Sequence, residues 1–465
     1  MKEALRLAPR LAVERLRGTR GGIALDAFAV LAFTISSLVA YTVAGGTWMF
    51  VQWNRMGNPQ MQANLGLTGY DASSFTSSYV VFASIACALL VVPILSLGGA
   101  AARLGASGRS RRLASLRLIG MTGGQVVLIS VVETLVQALI GIALGTVLWQ
   151  ATLPIWGAVT FQSVQLSPSL MRGPFWLWLA VSGVILVLAM LSTVLGLQRV
   201  RISPLGVAAR QTPPALKWWR VAVFAVVAAG AVVFANTMQV HPGDLAVLFV
   251  LAGFVGAVIL VINLVGPWVL QLLARIGSHT SSAPRLLAMR RISDDPKAAW
   301  RNISSLVFLG FLAAFMAILP QGDAFVGTTP DVITLMKDIR MGVLITLMFG
   351  FLLGAVSTLL AQAAAVVDRA GEARALDHMG VPRSLFGAMR RRQVLMPLLA
   401  TLIGSMAVGL LMGFPVAVQG FDPSVESFYL LGGTVVVGVA LALGAAQAVG
   451  PLQARVLQEN YRRND

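Results

Sequence analysis

Long apolar runs constrain this chain more than any other feature of its sequence. A transmembrane helix needs about 20 predominantly apolar residues, and ten segments meet that requirement. Hydrophobic residues make up 57% of the chain and charged residues 11%, whereas a soluble domain carries roughly 25% charged residues. A water-soluble fold is excluded, because it could not bury so much apolar surface. The predicted spans are residues 23–52, 75–102, 124–152, 175–198, 219–238, 245–273, 302–320, 339–366, 394–415 and 427–449.

The length of these runs favours helices over strands. A membrane β-strand needs only about 9–11 residues and alternates in polarity, whereas these runs are longer and uniformly apolar. We therefore expect an all-α polytopic membrane protein with about ten transmembrane helices. The single cysteine, Cys87, and three histidines far apart in the sequence argue against a disulfide framework or a Cys/His metal centre.

Basic residues are distributed unevenly between the two sets of connecting segments. With both termini in the cytoplasm, the outer segments hold four basic and seven acidic residues, and the inner segments hold 31 basic and nine acidic residues. Positive charge is retained on the cytoplasmic side of a membrane. We therefore predict a multi-pass membrane protein with both termini cytoplasmic. The excess of Arg over Lys and the many Ala, Gly and Val residues are typical of a GC-rich bacterium, so we expect the membrane to be a bacterial plasma membrane. This topology also accounts for the net charge of +17 without nucleic acid as a partner, and the outer segments are too short for an extracellular domain.

Three short motifs occur twice in the same order, which indicates an internal repeat. Six spans precede the second set, so both sets have the same orientation and form a parallel repeat. The predicted organisation is a four-helix unit at residues 1–210, a two-helix hairpin at 211–280 and a second four-helix unit at 281–465. The paired motifs are Ala8-Pro9-Arg10-Leu11 with Ala283-Pro284-Arg285-Leu286, Gly120-Met121-Thr122 with Gly380-Val381-Pro382, and Pro204-Leu205 with Pro451-Leu452.

The chain has no recognisable nucleotide-binding motif. A P-loop requires a lysine after a glycine to reach the β- and γ-phosphates, and none of the four lysines follows a glycine or lies in a Gly-rich loop. HExxH, CxxC and GxSxG sets are missing as well. We therefore predict that the chain is not an enzyme and binds no cofactor, and that any ATP and Mg²⁺ are held by a separate subunit.

The segment between spans two and three has the pattern of a short basic helix with a glycine stop. Leu113, Leu116 and Ile119 recur at three-residue spacing, arginines occupy the other positions, and Gly120 follows. The second copy extends over residues 371–382. The residues alone leave two alternatives open: the helix docks into a groove on a cytoplasmic partner, or it lies on anionic lipid.

These residues resemble the FtsX-like permease domain. The first copy is Arg111-Arg112-x-x-x-Leu116-Arg117-x-x-Gly120-x-Thr122, followed by a span that contains Glu133 and ends in Gly141 and Gly145. Arg112 departs from the family, which prefers glutamate there. The turn after span four is similar to that family's, with Pro204, Leu205 and Arg210. In the second copy, Glu372 lies where the family has its coupling glutamate, and Leu376 and Gly380 match the leucine and the glycine of the family pattern.

The resemblance implies the permease subunit of an ABC transporter, similar to MacB-like and BceB-like permeases but without their large extracellular domain. In such systems the helix between spans two and three contacts a cytoplasmic ABC ATPase, and a chain with two such units would serve two copies of it. The implied substrate is hydrophobic or amphipathic (a peptide, an antibiotic, a lipid or haem), and it would be exported or extracted. The implied coupling residues are Arg111, Arg112, Leu116, Arg117, Gly120, Glu372, Leu376, Asp377 and Gly380.

Three polar residues within or beside the spans are further candidates. Ionisable groups in a membrane are costly and by default functional, so Glu133 and Asp26 support an alternative function, a proton-coupled secondary transporter. However, Gln393 lies thirteen residues past the loop glycine, as Glu133 does in the first copy, which favours a shared hydrogen-bonding role. For Asp26 we expect an arginine partner or hydration. A mechanotransmitting signalling permease without cargo is the remaining alternative.

Overall fold

The computed structural model describes residues 20–118, 121–201, 245–318, 329–417 and 425–458, together with Trp219, Ala222, Val226 and Gly230. Apart from those four single positions, the fifth predicted span at 219–238 lies outside the described residues. The motifs at 8–11 and 204–205, Arg210 and Gly120 also lie outside the described residues.

The first half of the described chain is helical apart from a short hairpin, and its elements are numbered here in chain order. A capping box between Thr122 and Gln125 begins the helix after the second span. The elements are α1 Arg20–Met56, α2 Pro59–Leu65, α3 Gly69–Leu118, α4 Gly123–Trp156, β1 Thr160–Phe161, β2 Val164–Gln165, α5 Pro168–Met171 and α6 Phe175–Arg201.

The second half contains the remaining helices. Pro284 lies in the first turn of α8, where its missing N–H costs nothing, and the Asp295 carboxylate accepts a hydrogen bond from the Ala298 N–H at the start of α9. The helices are α7 Leu245–Gly277, α8 Ala283–Asp294, α9 Pro296–Ile318, α10 Pro330–Asp368, α11 Ala370–His378, α12 Arg383–Ala417, α13 Val425–Ala448 and α14 Gly450–Gln458.

The prediction of an all-α polytopic membrane protein is confirmed, with the two-residue strands β1 and β2 as an addition. Within the described residues, eight helices are long and apolar enough to cross a membrane, and they correspond to eight of the ten predicted spans. The seventh predicted span, residues 302–320, corresponds to α9, whose apolar stretch Leu306–Ile318 is shorter.

The two sets of four helices pack in the same pairwise pattern. In the first set α1 contacts α3, α4 and α6, and both α3 and α4 contact α6. In the second set α9 contacts α10, α12 and α13, and both α10 and α12 contact α13. Across the sets α3 packs on α10, flanked by contacts of α1 with α10 and of α9 with α3. The helices of the two sets thus largely share their neighbours, except that the contact between α3 and α4 has no counterpart of similar extent between α10 and α12, and the parallel repeat stays a prediction.

Glycines line the closest helix crossings in both sets. A side chain at Gly141 of α4 would meet Phe33 of α1, and one at Gly409 of α12 would meet the backbone of Phe311 in α9. Small residues let membrane helices approach closely, where van der Waals packing replaces the hydrophobic effect as the driving force. The glycine-rich ends of spans three and nine therefore have a packing role.

The end of the bundle that carries the hairpin is also where the two helix sets are joined by polar contacts. Asp338 of α10 is buried and accepts hydrogen bonds from the Tyr79 hydroxyl of α3 and from the Gln162 N–H of the hairpin, both at 2.6 Å. Gln162 and Ser163 have positive φ angles of 57° and 58°, as a tight two-residue hairpin turn requires. We call this end of the bundle the hairpin end.

Two predicted boundaries were wrong. The eighth predicted span begins at residue 339, which leaves Asp338 among the seven acidic residues of the outer segments, but α10 begins at Pro330 and contains Asp338 as a buried residue. We also expected a separate short helix after span two, but α3 continues without a break to Leu118. At 1.5 Å per residue its 50 residues extend over about 75 Å, more than twice the roughly 30 Å hydrocarbon core of a bilayer.

Candidate functional site

Basic side chains collect at the end of the bundle opposite the hairpin. This end, called the basic end, contains α8, α11 and α14, the last turns of α7 and α10, and the first turns of α9 and α12. Its described residues include Arg275, Arg285, Arg290, Arg291, Lys297, Arg301, Arg369, Arg374, Arg390, Arg391, Arg392 and Arg455.

At the basic end, α11 is the short helix that the second copy of the motif predicts. After α11 (Ala370–His378), Gly380 takes a left-handed conformation with φ +81°, which costs glycine little. Its N–H donates to the Asp377 carbonyl, and the Val381 N–H donates to the Leu376 carbonyl. This pair of bonds is a Schellman motif, which satisfies the last carbonyls of a helix. The predicted glycine stop is thus confirmed in this copy.

One face of α11 packs against other helices of the chain. Glu372 forms an ion pair with Arg291 of α8 at 2.6 Å. Leu376 is half-buried and packs against a small apolar cluster. The cluster consists of Ala288 of α8 and of Phe386 and Met389 of α12. Ala373, Val381 and Leu287 of α8 pack against the same cluster. Leu376 and Val381 occupy the two positions that commonly make an apolar contact in a Schellman motif, and both pack against this cluster. These contacts fix the direction in which α11 presents its other face.

The other face of α11 is open to the surroundings. Met379 is 70% exposed, and Ala375 and His378 are exposed as well. Asp377 and Arg374, by contrast, are engaged in interactions within the chain. The apolar group presented outward is therefore Met379, while Leu376 faces inward.

The first copy of the motif is the last part of α3. Arg111, Arg112, Leu116 and Arg117 lie in this helix, and their side chains are outside the described part of the structure. The backbone nevertheless shows a difference between the copies, because α3 is continuous, whereas α10 and α11 are separated by a break at Arg369 with φ −103° and ψ 21°.

The candidate polar residues of the spans fall in different surroundings. Glu133 and Gln393 occupy the eleventh position of α4 and α12, as their predicted equivalence requires. Glu133 is buried at 4% exposure and is engaged in interactions within the chain. Gln393 is half-buried and lines a pocket at the basic end. The two residues therefore share a register position but not an environment.

Asp26 was expected to pair with an arginine or to stay hydrated, and its burial argues against hydration. Asp26 of α1 is buried at 4% exposure and accepts a 2.8 Å hydrogen bond from the Gln137 amide of α4. Gln137 lies one turn after Glu133, so both carboxylates lie along the α1–α4 contact. Among the described residues, no group of three or more His, Cys, Asp or Glu side chains could hold a metal ion.

A comparison with known families gives one match, which covers part of the chain. Residues 84–205 match the profile of the family described as FtsX-like permease C-terminal. The chain carries an FtsX-like permease domain. The match covers most of α3 together with α4 and α6, about a quarter of the chain. No curated protein matches the chain in sequence.

FtsX-like permeases are non-enzymatic transmembrane subunits of ABC-type transporters that generally work with cytoplasmic ABC ATPases. The domain supports a membrane permease of this general type. The apolar helices likewise support a multi-pass membrane protein.

Sequence reasoning missed two residues at the basic end. Arg291 is one of two adjacent arginines in a basic helix, and nothing in the sequence pairs it with Glu372, 81 positions away. Met379 lies beside the glycine stop, and its outward direction depends on which face of α11 packs on α12. Helical spacing places Met379 near both Leu376 and Ala375, three and four residues before it. Leu376 packs inward and Ala375 is exposed, so spacing alone does not decide the direction of Met379.

Proposed function

We propose that this chain is the permease subunit of an ABC transporter and couples ATP hydrolysis by a separate ATPase to export or extraction of a hydrophobic or amphipathic substrate. The basic end would lie in the cytoplasm of a bacterial cell. There α11 and the last part of α3 would each contact one ATPase, so that two copies serve one chain. ATP and Mg²⁺ would be bound by the ATPase.

The observation that carries this proposal is the way in which α11 is held against neighbouring helices. A nine-residue helix is too short to be stable alone in water, and here a glycine stop, the Arg291–Glu372 ion pair and the Leu376 contacts hold it in place. It presents Met379, a flexible apolar side chain of the kind used at protein-binding surfaces. A helix held rigidly on one face with an apolar group on the other is suited to transmit a displacement from a bound partner.

The structure also changes the best test of coupling. Leu376→Asp would disrupt the packing of α11 on its own chain, so it would not report only on a partner. Met379→Asp alters the exposed face instead. We expect it to weaken co-purification with the partner ATPase by about tenfold, because loss of a central anchor residue at an interface costs more than 1 kcal/mol and a tenfold change corresponds to about 1.4 kcal/mol.

Ile276→Asp is the matched control, because Ile276 is 65% exposed at the end of α7 but lies away from α11. Co-purification should be unchanged in this variant. Equal loss in both variants, or no loss in Met379→Asp, would contradict the docking role and favour a helix that rests on lipid.

ATP hydrolysis gives a second, independent test. The purified chain alone should hydrolyse no ATP, and hydrolysis should appear on addition of the ATPase. Sustained hydrolysis by the chain alone, after removal of contaminating ATPases, would overturn the assignment.

A proton-coupled secondary transporter is the second candidate, and the burial of Asp26 and Glu133 along the α1–α4 contact favours it. It requires at least one of these carboxylates to exchange a proton. Transport that continues without ATPase but stops when the proton gradient is collapsed would favour this candidate. Coupled ATP hydrolysis without any transported cargo would instead favour a signalling permease.

A further inference from the structure

A small pocket with apolar walls and a set of polar side chains lies at the basic end where α8, α10, α11, α12 and α14 meet. Its cavity volume is about 40 Å³. One buried water needs roughly 10–15 Å³ on the same scale, so the pocket has room for a small group such as a phosphate but not for a nucleotide. Its polar lining consists of Arg291, Arg369, Arg390, Gln362, Gln393 and Gln453.

The pocket lining is positively charged. Three guanidinium groups face a cavity whose described lining residues include no carboxylate. Glu372 pairs with Arg291 from outside this lining, which compensates one of the three charges. Arg390 donates to the Gln453 side-chain oxygen at 2.6 Å, which leaves its charge uncompensated. The lining therefore carries an excess of donors and positive charge.

One hydrogen-bond donor of this lining is buried without a partner. The Nε atom of Arg390 is buried and has no hydrogen-bond partner in the described structure. A buried donor without a partner costs about 1–3 kcal/mol, more when it is charged, so such a group indicates an acceptor that binds there. Gln362, in the last turns of the α10 span, is 4% exposed and adds a buried amide to the same cavity.

Phosphate matches this set of donors better than other small acceptors. Arginine forks bind phosphate oxygens in a bidentate manner, and basic pockets between membrane helices bind the headgroups of anionic lipids. The pocket lies at the basic end of the α10 and α12 spans, where a lipid headgroup would be within reach, and it is partly open to the surroundings.

We propose that this pocket binds a phosphate group, presented either by an anionic phospholipid headgroup or as free phosphate. The site joins α8, α10 and α12 through Arg291, Arg369 and Arg390, and Ala373 of α11 lies in its wall. A bound phosphate therefore holds together the helices on which α11 rests. This inference does not depend on an ATPase partner.

The test uses the full chain in nanodiscs of phosphatidylcholine with increasing amounts of phosphatidylglycerol, and native mass spectrometry counts the phosphatidylglycerol retained after detergent extraction. The wild-type chain should retain about one molecule per chain. Arg369→Gln should reduce its affinity about tenfold, as expected for one charge-assisted hydrogen-bonded pair. Gln393→Glu should do the same by placing a carboxylate in the pocket while every arginine is kept.

Arg391→Gln is the matched control, because Arg391 is exposed, lies next to Arg390 and is not part of the lining. It should retain phosphatidylglycerol as the wild type does. Unfolding temperatures in pure phosphatidylcholine show whether each variant is folded. If Arg369→Gln fails to fold, Gln393→Glu still tests the pocket.

A second arm separates the two sources of phosphate. In phosphatidylcholine nanodiscs, inorganic phosphate is compared with chloride at equal ionic strength. A phosphate-dependent rise in unfolding temperature that Gln393→Glu removes supports the site with free phosphate as its ligand, whereas retention of phosphatidylglycerol alone supports the lipid. If neither ligand distinguishes the wild type from Gln393→Glu, or if Arg391→Gln loses as much as Arg369→Gln, the pocket holds only water and the proposal is wrong.

Discussion

Glu133 illustrates how burial and register together limit the role of a single residue. It occupies the same helix position as Gln393, although Glu133 is buried and Gln393 lines a pocket. Glutamine cannot titrate but can form hydrogen bonds similar to those of a carboxyl group. Glu133→Gln should therefore preserve both fold and ATP-driven activity. Glu133→Leu should destabilise the bundle by about 0.6–2 kcal/mol, the usual range for an interhelical hydrogen bond in a membrane.

Unfolding midpoints and ATPase stimulation, measured for both variants at matched expression, test this prediction. A proton carrier would give a different ranking, with Gln as harmful as Leu. Loss of activity in a folded Glu133→Gln variant would move the secondary-transport alternative ahead.

Gly380 offers a second test at the residue scale, because its requirement is purely one of backbone conformation. A side chain there would meet nothing within 4 Å, but the φ angle is +81°. Gly380→Ala should lower stability by about 1–2 kcal/mol, the cost of a left-handed conformation for an L-residue. The matched control is Gly371→Ala in the same helix, where space is also open and φ is not positive, so that alanine should stabilise by about 0.5–1 kcal/mol. Opposite shifts in unfolding midpoint are expected, and shifts of the same sign would contradict the assigned cap.

At the scale of elements, the contact between α3, the hairpin and α10 depends on Asp338. Removing its carboxylate leaves the Tyr79 hydroxyl and the Gln162 N–H without an acceptor. Asp338→Ala should therefore destabilise more than Tyr79→Phe, with about 1–3 kcal/mol for each unsatisfied buried group. Lys337→Ala, at an exposed neighbouring position, should stay within about 0.5 kcal/mol of the wild type. Denaturation curves of the three variants in one detergent measure this order, and an equal effect of Asp338→Ala and Lys337→Ala would show that the contact contributes nothing.

Sequence patterns predicted the elements better than their ends and contacts. Apolar runs identify spans because a bilayer imposes a fixed length, and a glycine before Val381 identifies the end of α11 because few residues accept a positive φ. The continuation of α3 to Leu118 was missed, since an arginine-rich stretch looks the same in a loop helix and in an extended span. The hairpin bond to Asp338 joins residues 176 positions apart, and no local pattern encodes such a pairing.

At the scale of the whole molecule, the orientation in the membrane is testable with single cysteines in a Cys87→Ser background. Ala63 of α2 and Ala375 of α11 are both exposed and lie at opposite ends of the bundle. With the basic end in the cytoplasm, an impermeant maleimide added to intact cells should label Ala63→Cys and should label Ala375→Cys only after permeabilisation. The reverse pattern would place the basic end outside and remove α11 from the reach of a cytoplasmic ATPase.

The two parts of the long helix α3 are separated by a single proline. Pro93 lies between the apolar stretch Gly69–Val91 and the arginine-rich stretch that ends at Leu118. A proline removes one helical hydrogen bond and lets a helix bend there. In the second set of helices, the chain changes direction at Arg369, between α10 and α11. Both sets therefore have a point of bending between their arginine-rich segment and their membrane span, so a displaced basic segment would turn about that point rather than push its span along the helix axis.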